Sequence, residues 1–255
     1  MFNKGKETNK KLLNIRSNPS NVGLHNESNR ISWLEKTLKK IPNGSRILDA
    51  GAGEQPFKKF CTHLNYVSQD FAQYDPKSLP IGLQMSRWDY GTLDIISDIV
   101  SIPEPDSSFD AIMCTEVFEH ILNPSEAIKE FSRLLRNDGF LIITAPFCSL
   151  THFAPFHFYT GFNRYFYEKE LVRNNFKIIE ISANGNFFEY IAQELRRIEY
   201  VAKEHNCGQL TLKEKIAIEL VLNKLEEFSL KDKGSDALLN FGLHVLAAKN
   251  GHSTT

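Results

Sequence analysis

The chain has 255 residues, of which 42% are hydrophobic and 24% charged, and its formal net charge is −1. This length and hydrophobic content suffice for one large α/β domain with an added helical part. Because basic and acidic residues are interleaved, the sequence does not favour a long nucleic acid as partner. The four cysteines form no C-x-x-C pair, which argues against a zinc ribbon or a redox motif.

The sequence shows no sign of a membrane or targeting segment. The N-terminal stretch is polar and rich in lysine, and it lacks the apolar centre of a signal peptide. No run approaches the roughly 18 apolar residues that a membrane span needs. We therefore expect a cytoplasmic protein without a membrane partner.

Strands and helices are predicted to alternate through most of the chain. After a tail of little periodicity, apolar residues recur on one helical face from Ser28 to Lys40. Further helices are predicted from near Pro56, from Asn123 to Gly139, and over 168–176. Six apolar runs predict strands at 46–51, 65–70, 95–102, 109–115, 140–146 and 177–182, of which 95–102 is the weakest.

This alternation indicates a mainly parallel sheet covered on both faces, interrupted once. Two amphipathic stretches within 186–237 predict a helical pair, and 240–250 predicts a returning strand. The pair would act as a lid, as a wall for the substrate, or as the surface of a homodimer. The predicted organisation is an N-terminal tail and helix (1–44), a core (45–185 and 238–250) and a helical insertion (186–237).

Ligands of such sheets bind beyond the carboxyl ends of the strands, so the residues that follow each strand are candidates. Asp49, Gly51 and Gly53 follow the first strand, where glycines let the backbone approach a ligand closely. An ordinary tight turn is the alternative for this glycine pair. Asp70 follows the second strand, where a carboxylate is placed to accept hydrogen bonds from ribose hydroxyls.

The third strand is followed by a pair that suits an adenine base. The carboxylate of Asp98 would meet the exocyclic amine, and Ile99 would cover the ring. These features could also serve NAD. However, Asp49 directly precedes the glycines, and Pro56 stands where a dinucleotide motif has its third glycine. The loop also lacks a helix start open to a pyrophosphate, so a cofactor without phosphate fits better.

Taken together, these segments resemble class I S-adenosylmethionine-dependent methyltransferases of the type 11 group. The segments that carry the resemblance are RILDAGAGEQPF, YVSQD, the run from SDIVSIPEPD to APF, and GLHVLAAKN. The resemblance implies a Rossmann-like, seven-stranded, mostly parallel sheet with an antiparallel last strand, and S-adenosylmethionine as cofactor. One departure is Gln55, which stands where the family often has a third glycine.

The resemblance also implies a set of cofactor contacts. Asp49, Gly51 and Gly53 would line the methionine part, and Asp70 and Phe71 would lie at the ribose. Asp98 and Ile99 would hold the adenine, and Glu116 and Val117 would wall the region near the sulfonium.

Methyl transfer to a hydroxyl requires that the acceptor lose a proton or be coordinated by a cation. Histidine titrates in the range suited to the first role, and His120, His152 and His157 are the candidates. Two of them lie in the aromatic stretch 146–167, which we expect to line the acceptor site. The alternative is a hydrophobic loop that packs against the edge of the sheet.

The segment E-x-x-E-H at 116–120 places three polar residues on one face of a helical turn. It resembles the metal-binding segment of small-RNA 2′-O-methyltransferases and of ubiquinone-pathway O-methyltransferases. That resemblance implies Mg²⁺ or Mn²⁺ held by Glu116, Glu119, His120 and a downstream histidine, His157 or His152. In the alternative without metal, Glu116 serves the cofactor, Glu119 caps the turn and His120 is a base or a structural residue.

The expected function is O-methylation of a small polar acceptor, such as a sugar or a sugar nucleotide used for a surface glycan. An N-methyltransferase, or another small-metabolite methyltransferase, is the alternative within the same class. A different alternative is an inactive scaffold that binds S-adenosylmethionine and recruits a partner through its helical pair.

Overall fold

The computed structural model describes residues 19–78 and 82–251. The chain divides into two compact units, one of Met1–Ser28 with Gly185–Phe241, the other of Asn29–Asn184 with Gly242–Thr255. The predicted N-terminal tail lies outside the described residues as far as residue 18. Among the described helices, none combines the length and apolarity needed to cross a bilayer.

A seven-stranded sheet forms the centre of the second unit, in the order β3-β2-β1-β4-β5-β7-β6. Strands β1 to β5 run parallel to one another, and β7 runs antiparallel to both β5 and β6. This confirms the predicted Rossmann-like sheet with an antiparallel last strand. The strands are β1 (Arg46–Ala50), β2 (Asn65–Asp70), β3 (Ile95–Ile96), β4 (Phe109–Thr115), β5 (Leu135–Pro146), β6 (Phe176–Asn184) and β7 (Gly242–Lys249).

Helices cover both faces of this sheet because successive strand residues point to opposite sides. Helix α1 (Asn26–Leu38) packs Leu34 against Ile47 on one face. Helix α2 (Pro124–Leu134) and α3 (Arg164–Arg173) belong to the core on the other face, where Phe131 and Leu48 are buried. Parallel strands covered in this way leave their carboxyl ends as the place where polar side chains can meet.

Three predicted elements are shorter than expected. The helix predicted from Pro56 is only a 3-10 turn over Lys58–Phe60, because the chain turns back into β2 at Asn65. The third strand is reduced to two residues, since Ser101 N–H bonds to the carbonyl of Asp98 in a turn. Helix α2 ends at Leu134, before the predicted stop at Gly139, because Leu135 is already extended and begins β5.

The first unit contains helices α4 (Phe187–Glu204) and α5 (Leu212–Lys231). The side chain of Asn186 accepts hydrogen bonds from two N–H groups in the first turn of α4. Thr211 and Glu214 form a reciprocal capping box at the start of α5. Val22, Ala192 and Leu222 form the small buried core of this unit.

Candidate active site at the carboxyl edge of the sheet

The glycine turn after β1 lies against the start of the turn after β4. Gly51 has φ +77°, and its N–H donates to the carbonyl of Gln69 at 2.9 Å. A Cβ added to Gly51 would lie 2.5 Å from a methyl carbon of Val117. Glycine is therefore required both by the left-handed backbone and by the close approach of the two turns.

Asp70, at the end of β2, is fixed by backbone donors. Its Oδ2 accepts from Gly53 N–H at 2.9 Å, and its Oδ1 accepts from Ala72 N–H at 3.0 Å. Burial raises the pKa of Asp70, whereas the N–H groups of Ala72, Gly53 and Phe71 oppose that rise. Because a carboxylate offers about four acceptor positions, Asp70 retains capacity for ribose hydroxyls.

Asp49 lies buried behind the glycine turn. The hydroxyl of Tyr66 donates to its Oδ2 at 2.6 Å. Burial raises the pKa of Asp49 to about 7, and the charge of Asp70 adds to that rise. Asp49 therefore supports the turn as a buried acid that is held by a tyrosine.

The predicted adenine contacts lie at the end of β3. Ile99 is buried in the core, whereas Asp98 is exposed and its Oδ1 accepts from Val100 N–H at 3.1 Å. Phe71 packs edge-to-face against Phe156, with ring centroids 4.9 Å apart. This contact links the ribose side of the predicted cofactor site to the aromatic stretch after β5.

Glu116 has φ +54° directly after β4, and both of its carboxylate oxygens have protein partners. Thr144 Oγ1 donates to Oε1 at 2.9 Å, and Arg30 Nη1 lies 3.0 Å from Oε2. The sequence did not point to Arg30 or Thr144. The two oxygens of Glu116 are thus engaged by Thr144 and Arg30.

A second carboxylate, Glu119, lies buried among the histidines. It is 1% exposed, and its Oε1 lies 3.6 Å from His120 Nε2 and 3.9 Å from His152 Nε2. Its Oε2 has no hydrogen-bond partner among the described residues. Burial, reinforced by the charge of Glu116, raises the pKa of Glu119 well above its usual range. One ligand atom from each of these three residues lies within 4.8 Å of the others, a spacing that suits a metal ion.

Two backbone carbonyls orient these two histidines. His120 Nδ1 lies 2.6 Å from the carbonyl of Phe156, and His152 Nδ1 lies 2.8 Å from the carbonyl of Leu150. Because a carbonyl can only accept, each Nδ1 carries a proton, and in the neutral ring each Nε2 presents its lone pair. Burial, with a smaller contribution from His152, lowers the pKa of His120 to about 3.

His157 adopts the opposite tautomer. Its Nε2 lies 3.2 Å from Ser149 Oγ, whose single proton is donated to the carbonyl of Thr160 at 3.0 Å. His157 Nε2 must therefore donate to the hydroxyl, which leaves the lone pair on Nδ1. Its ring centroid lies 4.8 Å from that of His152, and burial lowers its pKa.

The loop that carries His152 is held by the loop between β2 and β3. Leu83 pairs with His152 in a parallel bridge, and Leu83 N–H donates to the carbonyl of Thr151 at 2.9 Å. Tyr74 stacks on Phe153 with centroids 4.3 Å apart, and Phe153 lies 5.1 Å from His120. The aromatic residues between the second and third strands are the only sign of this support in the sequence, and it is a weak one.

Comparison with known proteins agrees with this architecture. A model of the family described as methyltransferase domain matches residues 25–211. The uncharacterized methyltransferase YcgJ of Bacillus subtilis (strain 168) is 28% identical over 117 residues, which cover 43% of this chain and 42% of that protein. The ubiquinone biosynthesis O-methyltransferase of Leptothrix cholodnii is 21% identical over 118 residues, 45% of this chain and 49% of that protein. The chain thus matches less than half the length of these curated relatives.

A crystal structure of a SAM-dependent methyltransferase from Archaeoglobus fulgidus shares the fold. Its TM-score is 0.53 at 15% identity, and the alignment covers 87% of this chain and 94% of that chain. The family match spans well over half of the chain. The chain therefore belongs to the methyltransferase-domain family of class I S-adenosylmethionine-dependent methyltransferases.

Proposed function

We propose that this methyltransferase acts on a hydroxyl of a small polar acceptor, such as a sugar or a sugar nucleotide used for a surface glycan. The observation that carries this proposal is the group of Glu119 and three histidines at the carboxyl edge of the sheet. A hydroxyl must lose its proton to attack, whereas a neutral amine needs less help from a base. The matched relative from Leptothrix cholodnii, named as an O-methyltransferase, supports the same choice.

In this proposal the residues of the site have separate roles in methyl transfer. Bound S-adenosylmethionine supplies a methyl group on a sulfonium, which is a good leaving group. Asp70 would hold the ribose, and Glu116 and Val117 would wall the region near the sulfur. When the methyl group is transferred from the sulfonium to the acceptor oxygen, Nδ1 of His157 would take the acceptor proton. The aromatic loop aligns the acceptor and excludes water.

We further propose that Glu119, His120 and His152 hold a divalent cation, Mg²⁺ or Mn²⁺. Imidazole nitrogens oriented by carbonyl hydrogen bonds on their opposite nitrogens are typical of metal ligands. Oε2 of Glu119, which is buried without a hydrogen-bond partner among the described residues, is also suited to bind a cation. The cation would polarise the acceptor oxygen as a Lewis acid. The sequence-based proposal left His157 or His152 open as the downstream ligand and included Glu116. In this set the downstream ligand is His152, and Glu116 is left out because Arg30 engages it.

Titration with Mn²⁺, followed by electron paramagnetic resonance, tests the cation site. We expect His120→Asn and His152→Asn each to weaken Mn²⁺ binding by ~10–100-fold or more. Loss of a residue that only supports a metal ligand already weakens binding by that factor. His205→Asn, at the exposed end of α4, is the matched control and should bind Mn²⁺ as the parent does. Equal binding by all variants, or no binding by the parent, would remove the cation and leave the histidines as bases.

The proposed activity is tested with S-adenosylmethionine that carries a labelled methyl group and a panel of sugars, sugar nucleotides and amines. We expect label on an oxygen of a sugar-type acceptor, and a rate about 10²-fold lower in His157→Gln with unchanged cofactor affinity. Label found only on nitrogen would make the protein an N-methyltransferase. Cofactor binding without transfer to any acceptor of the panel would favour the inactive scaffold.

A further inference from the structure

A polar surface cleft of about 300 Å³ lies between α1 and the edge of the sheet formed by β6 and β7. It lies wholly within the second unit, and none of the predicted cofactor contacts or the histidines around Glu119 lines it. Its polar lining comes from Asn29, Ser32 and Lys36 on the helix and from Ser182, Asn184 and His244 on the strands.

Polar residues line the cleft on both the helix side and the strand side. Asn29, Ser32 and Lys36 recur at helical spacing, so they share one face of α1. In the sheet, Ser182 is paired with His244, and His244 is paired with Thr144. Residues directly opposite each other on antiparallel strands point to the same side of the sheet. A row of polar groups therefore runs from the cleft to Thr144, the partner of Glu116.

His244 in the wall of the cleft and Arg30, which follows the lining residue Asn29 in α1, each have a buried nitrogen without a hydrogen-bond partner among the described residues. His244 is 5% exposed, and its Nε2 has no hydrogen-bond partner among the described residues. The ring of Trp33 stacks on it at 4.8 Å and fixes its orientation. Arg30 Nε is likewise buried without a partner in the described part of the chain, although Nη1 pairs with Glu116. Because a buried group without a partner is costly, His244 points to a bound molecule at this place.

The charges at the cleft favour an anion. No carboxylate lines it among the described residues, and Lys36 forms no ion pair with any of them. The nearby carboxylate Glu180 is engaged, because its Oε1 accepts from Trp33 Nε1 and from Ser182 Oγ, each at 2.9 Å. The lining thus offers hydroxyl, amide and imidazole groups together with one unpaired cation.

We propose that this cleft is a subsite for a molecule that carries several hydroxyls and one anionic group, as sugar carboxylates and sugar phosphates do. Its volume lies at the lower end of the range for small-molecule sites, which suits one sugar unit. His244 of the cleft is paired across the sheet with Thr144, and Thr144 donates to Glu116, so the bound molecule would extend toward the predicted sulfonium region. The assignment of this molecule as the methyl acceptor rests on the proposed function.

Isothermal calorimetry on the full chain, saturated with S-adenosylhomocysteine, tests the subsite with three probes: D-glucuronate, D-glucose 6-phosphate and D-glucose. We expect at least one charged sugar to bind about tenfold or more tightly than glucose, since a charged hydrogen bond adds roughly 1.5–3 kcal/mol. Lys36→Met should remove that preference. Lys39→Met is the matched control, because Lys39 is exposed and paired with Glu35.

The outcomes separate the subsite from the proposed function. Absence of binding by both charged sugars, or binding that Lys36→Met leaves unchanged, would overturn the subsite. The two charged probes distinguish a carboxylate from a phosphate. A charged sugar that binds through Lys36 but is never methylated keeps the subsite and removes that sugar as acceptor. Methylation of a charged sugar at a rate insensitive to Lys36→Met keeps the function and removes the subsite.

Discussion

At the scale of single residues, Asp70 is the side chain on which cofactor binding should depend most. Its two oxygens accept backbone N–H groups from the glycine turn and from Ala72, so its position is set before any ligand arrives. In Asp70→Asn the charge is lost, and one amide group would face a backbone donor. We expect the dissociation constant of S-adenosylmethionine to rise about 10- to 100-fold, measured by calorimetry.

Asp75→Asn is the control for that substitution. Asp75 lies in the same loop and accepts a hydrogen bond from Lys77 N–H, but it is exposed and was not predicted to touch the cofactor. It should leave the affinity within twofold of the parent. If Asp70→Asn bound the cofactor as tightly as Asp75→Asn does, Asp70 would have no role in binding the ribose.

His120 should remain neutral throughout the usual pH range, because burial lowers its pKa to about 3. Long-range proton–nitrogen NMR spectra report both the protonation and the tautomer of an imidazole ring. We expect a proton on Nδ1, as the contact with Phe156 requires, and no titration of His120 between pH 8 and pH 5. Titration near pH 6.5 would show that the ring is exposed and that the packing around it is wrong.

The sequence predicted which residues follow the strands, but not which atoms meet. Asp49, Gly51 and Asp70 could be placed because the ends of parallel strands share one edge. The choice between His152 and His157 could not be made, since both lie in an irregular loop whose backbone is held by Leu83. Arg30 was missed because its partner lies far along the chain and no periodic pattern connects the two.

At the scale of elements, the turn after β1 should be intolerant of any side chain. Gly51→Ala places a Cβ in a left-handed backbone and 2.5 Å from Val117, so both strain and overlap oppose it. Gly44 has a similar φ of +81°, yet an added Cβ would meet nothing within 4 Å. We expect Gly44→Ala to cost about 1–2 kcal/mol of unfolding free energy.

Gly51→Ala should cost at least about twice as much and should also weaken cofactor binding. Urea unfolding monitored by circular dichroism gives both free energies, and calorimetry gives the affinity. Equal losses of unfolding free energy in the two variants would show that overlap with Val117 does not destabilise Gly51→Ala.

The predicted elements were most accurate where the apolar pattern is long or continuous. The long helices α4 and α5 and the buried strand β4 correspond closely to their apolar patterns. The helix predicted from Pro56 failed because the chain must return to β2 within a few residues. The stop predicted at Gly139 failed because pairing of Leu135 with Phe109 draws the chain into β5 first.

At the scale of the whole molecule, buried histidines should make the fold sensitive to acid. Burial lowers the pKa of His244 to about 4 and that of His120 to about 3, below the unfolded value of about 6.5. Below pH 6.5 the unfolded chain therefore binds more protons than the native chain. The stabilising contribution of the two buried neutral histidines is complete above about pH 6.5 and is lost as pH falls toward their native pKa values.

Asp49 acts in the opposite direction, because its pKa is raised to about 7 and the native chain gains a proton first. Urea unfolding at pH 7.5 and pH 5 measures the balance. We expect His244→Gln to reduce the acid-induced loss of stability and Asp49→Asn to increase it. The same pH dependence in the parent and in His244→Gln would show that His244 is not buried as a neutral ring.

The fold positions the predicted cofactor contacts, and the loops and α1 position the groups of the two proposed sites. The seven-stranded order brings the glycine turn, Asp70 and the turn at Glu116 to one edge, and that edge is predictable from the alternation of strands and helices. His120 comes from the turn after β4, and His152 and His157 come from the loop after β5, whereas the polar cleft lies between α1 and the strands β6 and β7. Neither arrangement follows from local sequence pattern, because each depends on contacts between distant segments.

A crystal structure of the full chain with S-adenosylhomocysteine tests the central claim most directly, which is that the cofactor binds beside the histidines. We predict that the ribose hydroxyls bond to Asp70 and that the sulfur lies beside Val117, on the side open to Glu119 and His120. The account would be contradicted if the molecule bound away from Asp70, or if protein atoms walled its sulfur off from the histidines.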